Sequence, residues 1–158
     1  ALSSAASDVY KRQTYRNRKN MRIATKTRYA LRFMIDLTEH ESEGRIPMKK
    51  IAQRQLISKK YLEQVVAPLS EAGLITVTRG ATGGYAIARP AREITLDEIV
   101  RATEGDLYLL DCLEGSFDCP LSMRCSTQRV WRGLENAVAS YLHGITLEDA
   151  LDLKPNVG

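Results

Sequence analysis

The amino-acid sequence predicts a mostly α-helical fold with one small β-hairpin. Three observations carry this. Apolar residues recur at helical spacing in three stretches: Tyr29, Ala30, Phe33, Met34 and Leu37; then Leu62, Val65, Val66, Leu69 and Ala72; then Val130, Trp131, Leu134, Ala137, Val138, Tyr141 and Leu142. Two short runs, residues 74–78 and 85–88, flank the glycine-rich turn Arg79-Gly80-Ala81-Thr82-Gly83-Gly84, which is a hairpin pattern. Residues suited to capping helix N-termini stand at Ser58, Thr95 and Thr146.

In chain order, residues 25–40 form a helix whose apolar stripe faces inward. Glu41-Ser42-Glu43-Gly44 breaks it, and Arg45-Ile46-Pro47 is a short extended step. Residues 48–55 form a second, short helix with Ile51 and Ala52 inward. After a tight turn at Leu56-Ile57, Ser58 caps a third helix, its hydroxyl accepting from an unpaired first-turn N–H. Pro68 is expected to kink or split that helix, because it lacks an N–H and clashes one turn back. Gly73 stops it, and the hairpin follows. Thr95-Leu96-Asp97-Glu98 is a capping box opening a helix to about Glu104. Residues 126–143 form a long helix ended by Gly144, and Thr146-Leu147-Glu148-Asp149 caps a last short one.

Residues 1–20 stand apart. Residues 3–13 resemble an in-frame translation of a sequencing-library adapter, so the natural chain is expected to start at Met21; the alternative is a disordered basic tail. The segment has no apolar core of a secretory signal. It also carries the net charge: five basic residues (Lys11, Arg12, Arg16, Arg18, Lys19) against Asp8, and without it acids and bases balance. What remains is polarised along the chain. Residues 21–90 hold 12 basic and 6 acidic residues, and residues 91–158 hold 6 and 12. A polyanion-binding front half with a different task behind it is the expectation. The organisation expected is a tail over 1–20, a DNA-binding domain over 21–90, a linker helix and cysteine loop over 91–125, and a long helix with a C-terminal segment over 126–158. No run of about 18 apolar residues occurs, so no membrane span is expected. Three cysteines without a signal peptide argue against a secreted disulfide framework and for the reducing cytoplasm.

Helix, short helix, tight turn, helix, hairpin is the order of a winged helix-turn-helix. The N-terminal residues of a recognition helix meet base edges in the major groove. Here they are Ser58, Lys59, Lys60, Tyr61, Glu63 and Gln64. Lys59 and Lys60 suit phosphates, Glu63 a cytosine amine and Gln64 an adenine. In the wing, Arg79 lies beside Gly80 and Gly84, where an arginine can reach phosphate or a narrow minor groove. Blander readings stand beside these. The lysines can be a solvated face, the glycines can merely satisfy turn geometry, and a helix-turn-helix can be a protein-interaction module.

The strings Lys26-Thr27-Arg28-Tyr29-Ala30, Ile57-Ser58-Lys59-Lys60-Tyr61-Leu62-Glu63-Gln64, Ala72-Gly73-Leu74 and Arg79-Gly80-Ala81-Thr82-Gly83-Gly84-Tyr85 resemble a bacterial winged-helix regulator family. That family includes IscR, NsrR, RirA and CymR, and the similarity runs from Met21 to about Leu153. The resemblance implies a transcriptional regulator, most often a repressor, that binds double-stranded operator DNA as a homodimer paired through the long C-terminal helix. It adds Tyr85 to the DNA-facing residues, with Arg22 and Lys26 as phosphate contacts at the start of the first helix.

All three cysteines lie within one stretch, as Cys112-x6-Cys119-x5-Cys125. Such clustering points to chemistry rather than packing. The spacing is wider than zinc knuckles, and neither His40 nor His143 is local. Iron–sulfur clusters accept wider, loop-borne thiolates. By resemblance, Cys112, Cys119 and Cys125 are the ligands of a 2Fe–2S or 4Fe–4S cluster sensing redox, nitric oxide or iron status. The fourth ligand is unassigned, because Gln128 stands where IscR-like proteins have histidine and Arg28 lies in the region where NsrR-like proteins offer a carboxylate. Asp111, Glu114, Asp118, a partner residue or a small molecule are the candidates. The main alternative is a cluster-free thiol switch controlling sulfur metabolism. A thiol enzyme is disfavoured, since nucleophilic cysteine needs a nearby base.

Overall fold

The first helix organises everything else. In the computed structural model, which describes residues 23–80, 82–114, 119, 121 and 124–153, α1 spans Thr25–Glu39. Its completely buried Ala30, Phe33 and Met34, with Leu37, form the centre of the core. Around it pack α2 (Met48–Gln55), α3 (Lys59–Glu71), the hairpin, α4 (Leu96–Glu104) and the C-terminal α6 (Leu147–Asp152). Ile51, Leu62, Val65, Leu69, Ile99 and Leu147 close the core from these elements. The last helix therefore returns to the front half. Two reciprocal capping boxes, at Thr95 and Thr146, begin α4 and α6. The two threonines pair in an antiparallel bridge, with Leu96 N–H donating to the Ile145 carbonyl at 2.9 Å and Leu147 N–H to that of Ile94 at 2.7 Å.

The wing is an antiparallel pair, β1 (Ile75–Thr78) and β2 (Gly84–Ile87), in the register Ile75 to Ile87 and Thr78 to Gly84. Ile46 adds a third position by exchanging two 2.9 Å backbone hydrogen bonds with Tyr85. Gly84 permits that approach, since a Cβ there would lie 2.7 Å from the Ile46 carbonyl. Gly73 (φ 67°), after the Ala72 cap, turns α3 into the wing as expected.

Two expectations are corrected. Pro68 neither splits nor ends α3, which runs unbroken to Glu71. The carbonyl that Pro68 leaves without an intrahelical partner belongs to Gln64, an exposed residue, while Val65 and Leu69 on the inner face are completely buried. The long helix, α5, spans Gln128–Gly144 and so starts two residues late. The Thr127 hydroxyl makes no cap and lies instead 3.3 Å from Cys125 Sγ. α5 packs on α4 but buries none of its residues, and Val130, Trp131, Leu134 and Tyr141 stay exposed along it. Among the described residues, no helix is long and apolar enough to cross a membrane.

Candidate nucleic-acid interface and cysteine loop

Ser58 has extended backbone (φ −63°, ψ 144°) and its Oγ accepts from Tyr61 N–H at 3.3 Å, fixing the start of α3. From there the helix is two-faced. Leu62, Val65 and Leu69 are fully buried, whereas Lys59, Lys60, Glu63 and Gln64 are exposed together on the opposite side. The two lysines lie in the first turn, beside N–H groups whose partial positive charge also favours phosphate. Tyr61 is half-buried, with its ring edge-on to Tyr29 at 5.1 Å, so it sets the roll of α3 against α1. Lys26 is half-buried in the first turn of α1, and Arg22 lies outside the described residues.

The wing places Arg79 and Gly80 in the open at the end of β1, with Gly80 at φ 110°, a conformation suited to glycine. Gly84 and Tyr85 face the other way. Gly84 is buried under Ile46, and the half-buried Tyr85 ring stands edge-on to Phe33 at 5.7 Å. Burial, then the negative charge of Glu63, pushes the Tyr85 hydroxyl pKa up. The wing is thereby seated directly on α1 and electrostatically linked to α3.

Cys112 lies in the short helical turn Asp111–Leu113, anchored by buried Leu113. Cys125 lies three residues before α5. All three cysteines are half-buried free thiols. The Thr127 hydroxyl first, and then the backbone N–H groups of Gln128 and Thr127 at the start of α5, hold the Cys125 pKa below the ordinary thiol value. Three soft donors on one segment fit iron chemically. Among the described residues, however, no three His, Cys, Asp or Glu side chains are gathered closely enough to hold a metal ion. Asp118 lies outside the described residues, and Gln128 is the first residue of α5.

Residues 23–152 match the family described as "Rrf2: Iron-dependent Transcriptional regulator". The chain belongs to the Rrf2 family of transcriptional regulators. Its relatives include the HTH-type transcriptional regulator IscR of Pectobacterium carotovorum, 35% identical over 134 residues that cover 85% of this chain and 81% of the relative. Among solved structures, IscR of T. potens has a TM-score of 0.67 at 38% identity, covering 83% of this chain and 86% of that one. CymR, described as the global cysteine regulator of B. subtilis, has a TM-score of 0.69 at 36% identity, covering 85% and 98%. These relatives are named as regulators, not enzymes.

In this Rrf2 protein the approach to α3 is positioned by a polar network that the sequence-based expectations omitted. Asp36 of α1 is completely buried. Arg54 donates to it from Nε at 3.0 Å and from Nη2 at 2.6 Å, and Gln55 Nε2 donates at 2.9 Å. Arg32, lying over the Tyr29 ring at 5.6 Å, donates to both the side chain and the carbonyl of Gln55. The end of α2, one tight turn before α3, is thus tied to α1 from two sides. Burial pushes the Asp36 carboxyl pKa up, but the Arg54 and Gln55 hydrogen bonds and the Arg54 charge outweigh it and hold it below the ordinary carboxylate value. The available signal was an acid set between Ile35 and Leu37 in an apolar stripe.

Proposed function

We propose that this chain is a homodimeric regulator that binds operator DNA sequence-specifically in the cytoplasm, with DNA affinity set by an iron–sulfur cluster on Cys112, Cys119 and Cys125. One juxtaposition carries the reading: a thiol-bearing segment runs into a long helix with no buried residue, behind an exposed basic recognition face. Lys59, Lys60, Lys26 and Arg22 supply phosphate contacts, Glu63 and Gln64 read base edges, and Arg79 with Gly80 brings the wing to the backbone or minor groove. Ser58, Tyr61, Gly84 and Tyr85 hold these groups in place. The exposed Val130, Trp131, Leu134 and Tyr141 supply the apolar face a second copy would cover. When bound, a cluster supplies redox and nitric-oxide reactivity and sensitivity to iron supply. The protein's part is to order the 112–125 segment against α5 and so bias the relative pose of two DNA-reading halves, which requires differential stabilisation of two states. Coupling of this kind changes affinity by roughly 5–150-fold.

Anaerobic purification, an absorption spectrum, and iron and sulfide analysis test the reading, paired with operator binding before and after oxidation. A triple Cys112→Ala, Cys119→Ala, Cys125→Ala variant should carry no cluster. If its DNA binding equals that of the iron-loaded parent, the cluster does not control affinity.

A second reading is a cluster-free thiol switch that controls sulfur metabolism. The likeness to CymR and the lowered Cys125 pKa, set by the Thr127 hydroxyl 3.3 Å from its sulfur, favour it. Colourless protein that loses DNA affinity as a disulfide forms would select this reading.

A further inference from the structure

Leu56 is the residue that the folded chain itself does not account for. It is 90% exposed, the most exposed large apolar side chain among the described residues, and at φ 53° it is their one non-glycine residue in left-handed backbone. The turn explains the backbone. Leu56 and Ile57 both donate their N–H groups to the Ala52 carbonyl, the second at 3.2 Å. This closes α2 and sends Ile57 into the core just ahead of the Ser58 cap. Glycine or asparagine meets that geometry at less steric cost. A leucine adds the cost of its Cβ and leaves an apolar surface in water, with almost no burial in return. A costly conformation of this kind at an exposed position points to a task outside the fold.

The surroundings of Leu56 say what covers it. From Gly44 to Leu62 the sequence holds six Lys or Arg residues and no acid. Arg32 donates to the Gln55 carbonyl, one residue before Leu56, and stays exposed over the Tyr29 ring. Lys59 and Lys60 stand exposed three and four residues after it. A cationic surround with an apolar tip suits a polyanion that carries apolar groups, not a second apolar protein surface. Duplex DNA is such a partner: the thymine C5-methyl is the apolar group of the major groove, and apolar side chains read it. The position agrees. The N-terminal residues of a recognition helix meet base edges, and Leu56 lies just before that end of α3, continuous with exposed Lys59, Lys60 and Glu63.

We propose that Leu56 packs on the C5-methyl group of a thymine in the operator, adding a base preference beside those of Glu63 and Gln64. The contact rests on the reading of α3 as the helix that enters the major groove. Leu56 then lowers the stability of the free protein and raises that of the complex. The same side chain therefore moves folding and DNA binding in opposite directions, which a residue serving only the turn does not do.

A duplex enriched from a random-sequence pool by the unaltered full chain supplies the probe. Each of its thymines is replaced in turn by deoxyuridine, which keeps every hydrogen-bonding group and lacks only the methyl. At one thymine the replacement is expected to weaken binding about fourfold, the effect of withdrawing one methyl from an apolar contact. Leu56→Gly and Leu56→Asn both tolerate left-handed backbone. Each should bind the all-thymine duplex about tenfold more weakly and no longer distinguish it from that deoxyuridine duplex. Their urea midpoints should equal or exceed the parent's, so that lost binding does not reflect lost folding. Lower midpoints in both variants would assign Leu56 to the fold and overturn the contact. So would unchanged DNA binding in both, insensitivity of the parent to every deoxyuridine, or a deoxyuridine effect that persists in the variants; these three leave the regulator reading standing. If the pool yields no enriched duplex, the sequence-specific reading falls and the contact falls with it.

Discussion

Arg54 grips Asp36 through two hydrogen bonds, 3.0 Å from Nε and 2.6 Å from Nη2, and the carboxylate it holds is wholly buried. This pair joins α1 to α2, the helix that leads into the turn before α3. Removing one partner of such a pair strands the other charge, which costs about 3–5 kcal/mol. Because the Arg54 side chain keeps 27% exposure, Arg54→Ala should fall near about 3 kcal/mol, the lower end of that range. Urea unfolding measures it; a loss under about 1 kcal/mol, as for an exposed pair, would mean the network does not hold α2 in place.

The same carboxyl predicts the acid limb of stability. Its folded pKa is depressed, so its contribution is complete above the unfolded value of about 3.9 and is lost as pH falls through the folded value. Asp36→Asn should therefore be less stable than the parent at neutral pH, and the gap should close below about pH 4. Unfolding free energies of both proteins across the acid range check this. A gap that stays constant with pH would show that Asp36 contributes packing rather than charge.

Leu56 has φ 53° and 90% exposure at the turn between α2 and α3. A branched side chain in left-handed backbone costs roughly 1–2 kcal/mol, and nothing is packed against this one in return. Glycine removes that cost but adds chain entropy of about 0.5–1 kcal/mol in the unfolded state. Leu56→Gly should raise stability by about 0.5–1 kcal/mol, seen as a higher denaturant midpoint at unchanged slope.

The fold was legible where one physical signal dominated. The stripe Ala30–Phe33–Met34–Leu37 is apolar at helical spacing, and it is the core. Ser58, Thr95 and Thr146 offered cap chemistry, and each accepts the expected N–H. Signals failed where tertiary context outweighed local rule. Pro68 lies inside an unbroken α3 whose inner face, Val65 and Leu69, is completely buried, so packing outweighs the one lost backbone hydrogen bond. Asp36 is an acid, and acids are read as solvent-facing until a partner such as Arg54, distant in sequence, is placed beside them. The site residues divide in the same way: lysine exposure follows from helix phase, but the seating of Gly84 under Ile46 depends on a long-range backbone approach.

The proposed pairing of two copies through the exposed stripe on α5 makes a prediction of its own. Leu134 keeps 40% exposure in one chain and contributes little to that chain's core. Leu134→Glu should leave the helical content and melting of the isolated chain almost unchanged while shifting the association equilibrium toward monomer. Analytical ultracentrifugation measures the shift. Unaltered dimerisation would move the interface off this stripe.

Two kinds of side chain on α3 should separate cleanly in DNA binding. Lys59 and Lys60 are exposed in its first turn, where each neutralised phosphate releases a counterion, so log K falls with log salt by about 0.9 per contact. Lys59→Ala and Lys60→Ala should each weaken binding to all sequences alike and reduce the salt slope by about 1. Gln64, exposed one turn further along, is uncharged and should leave the slope alone. Gln64→Ala should instead lose about 1–3 kcal/mol of discrimination at one base pair, adenine against the others. Binding isotherms on operator and single-base variants at several salt concentrations resolve both effects. If Gln64→Ala changed the slope, or the lysine variants changed sequence preference, α3 would not sit in the major groove in this orientation.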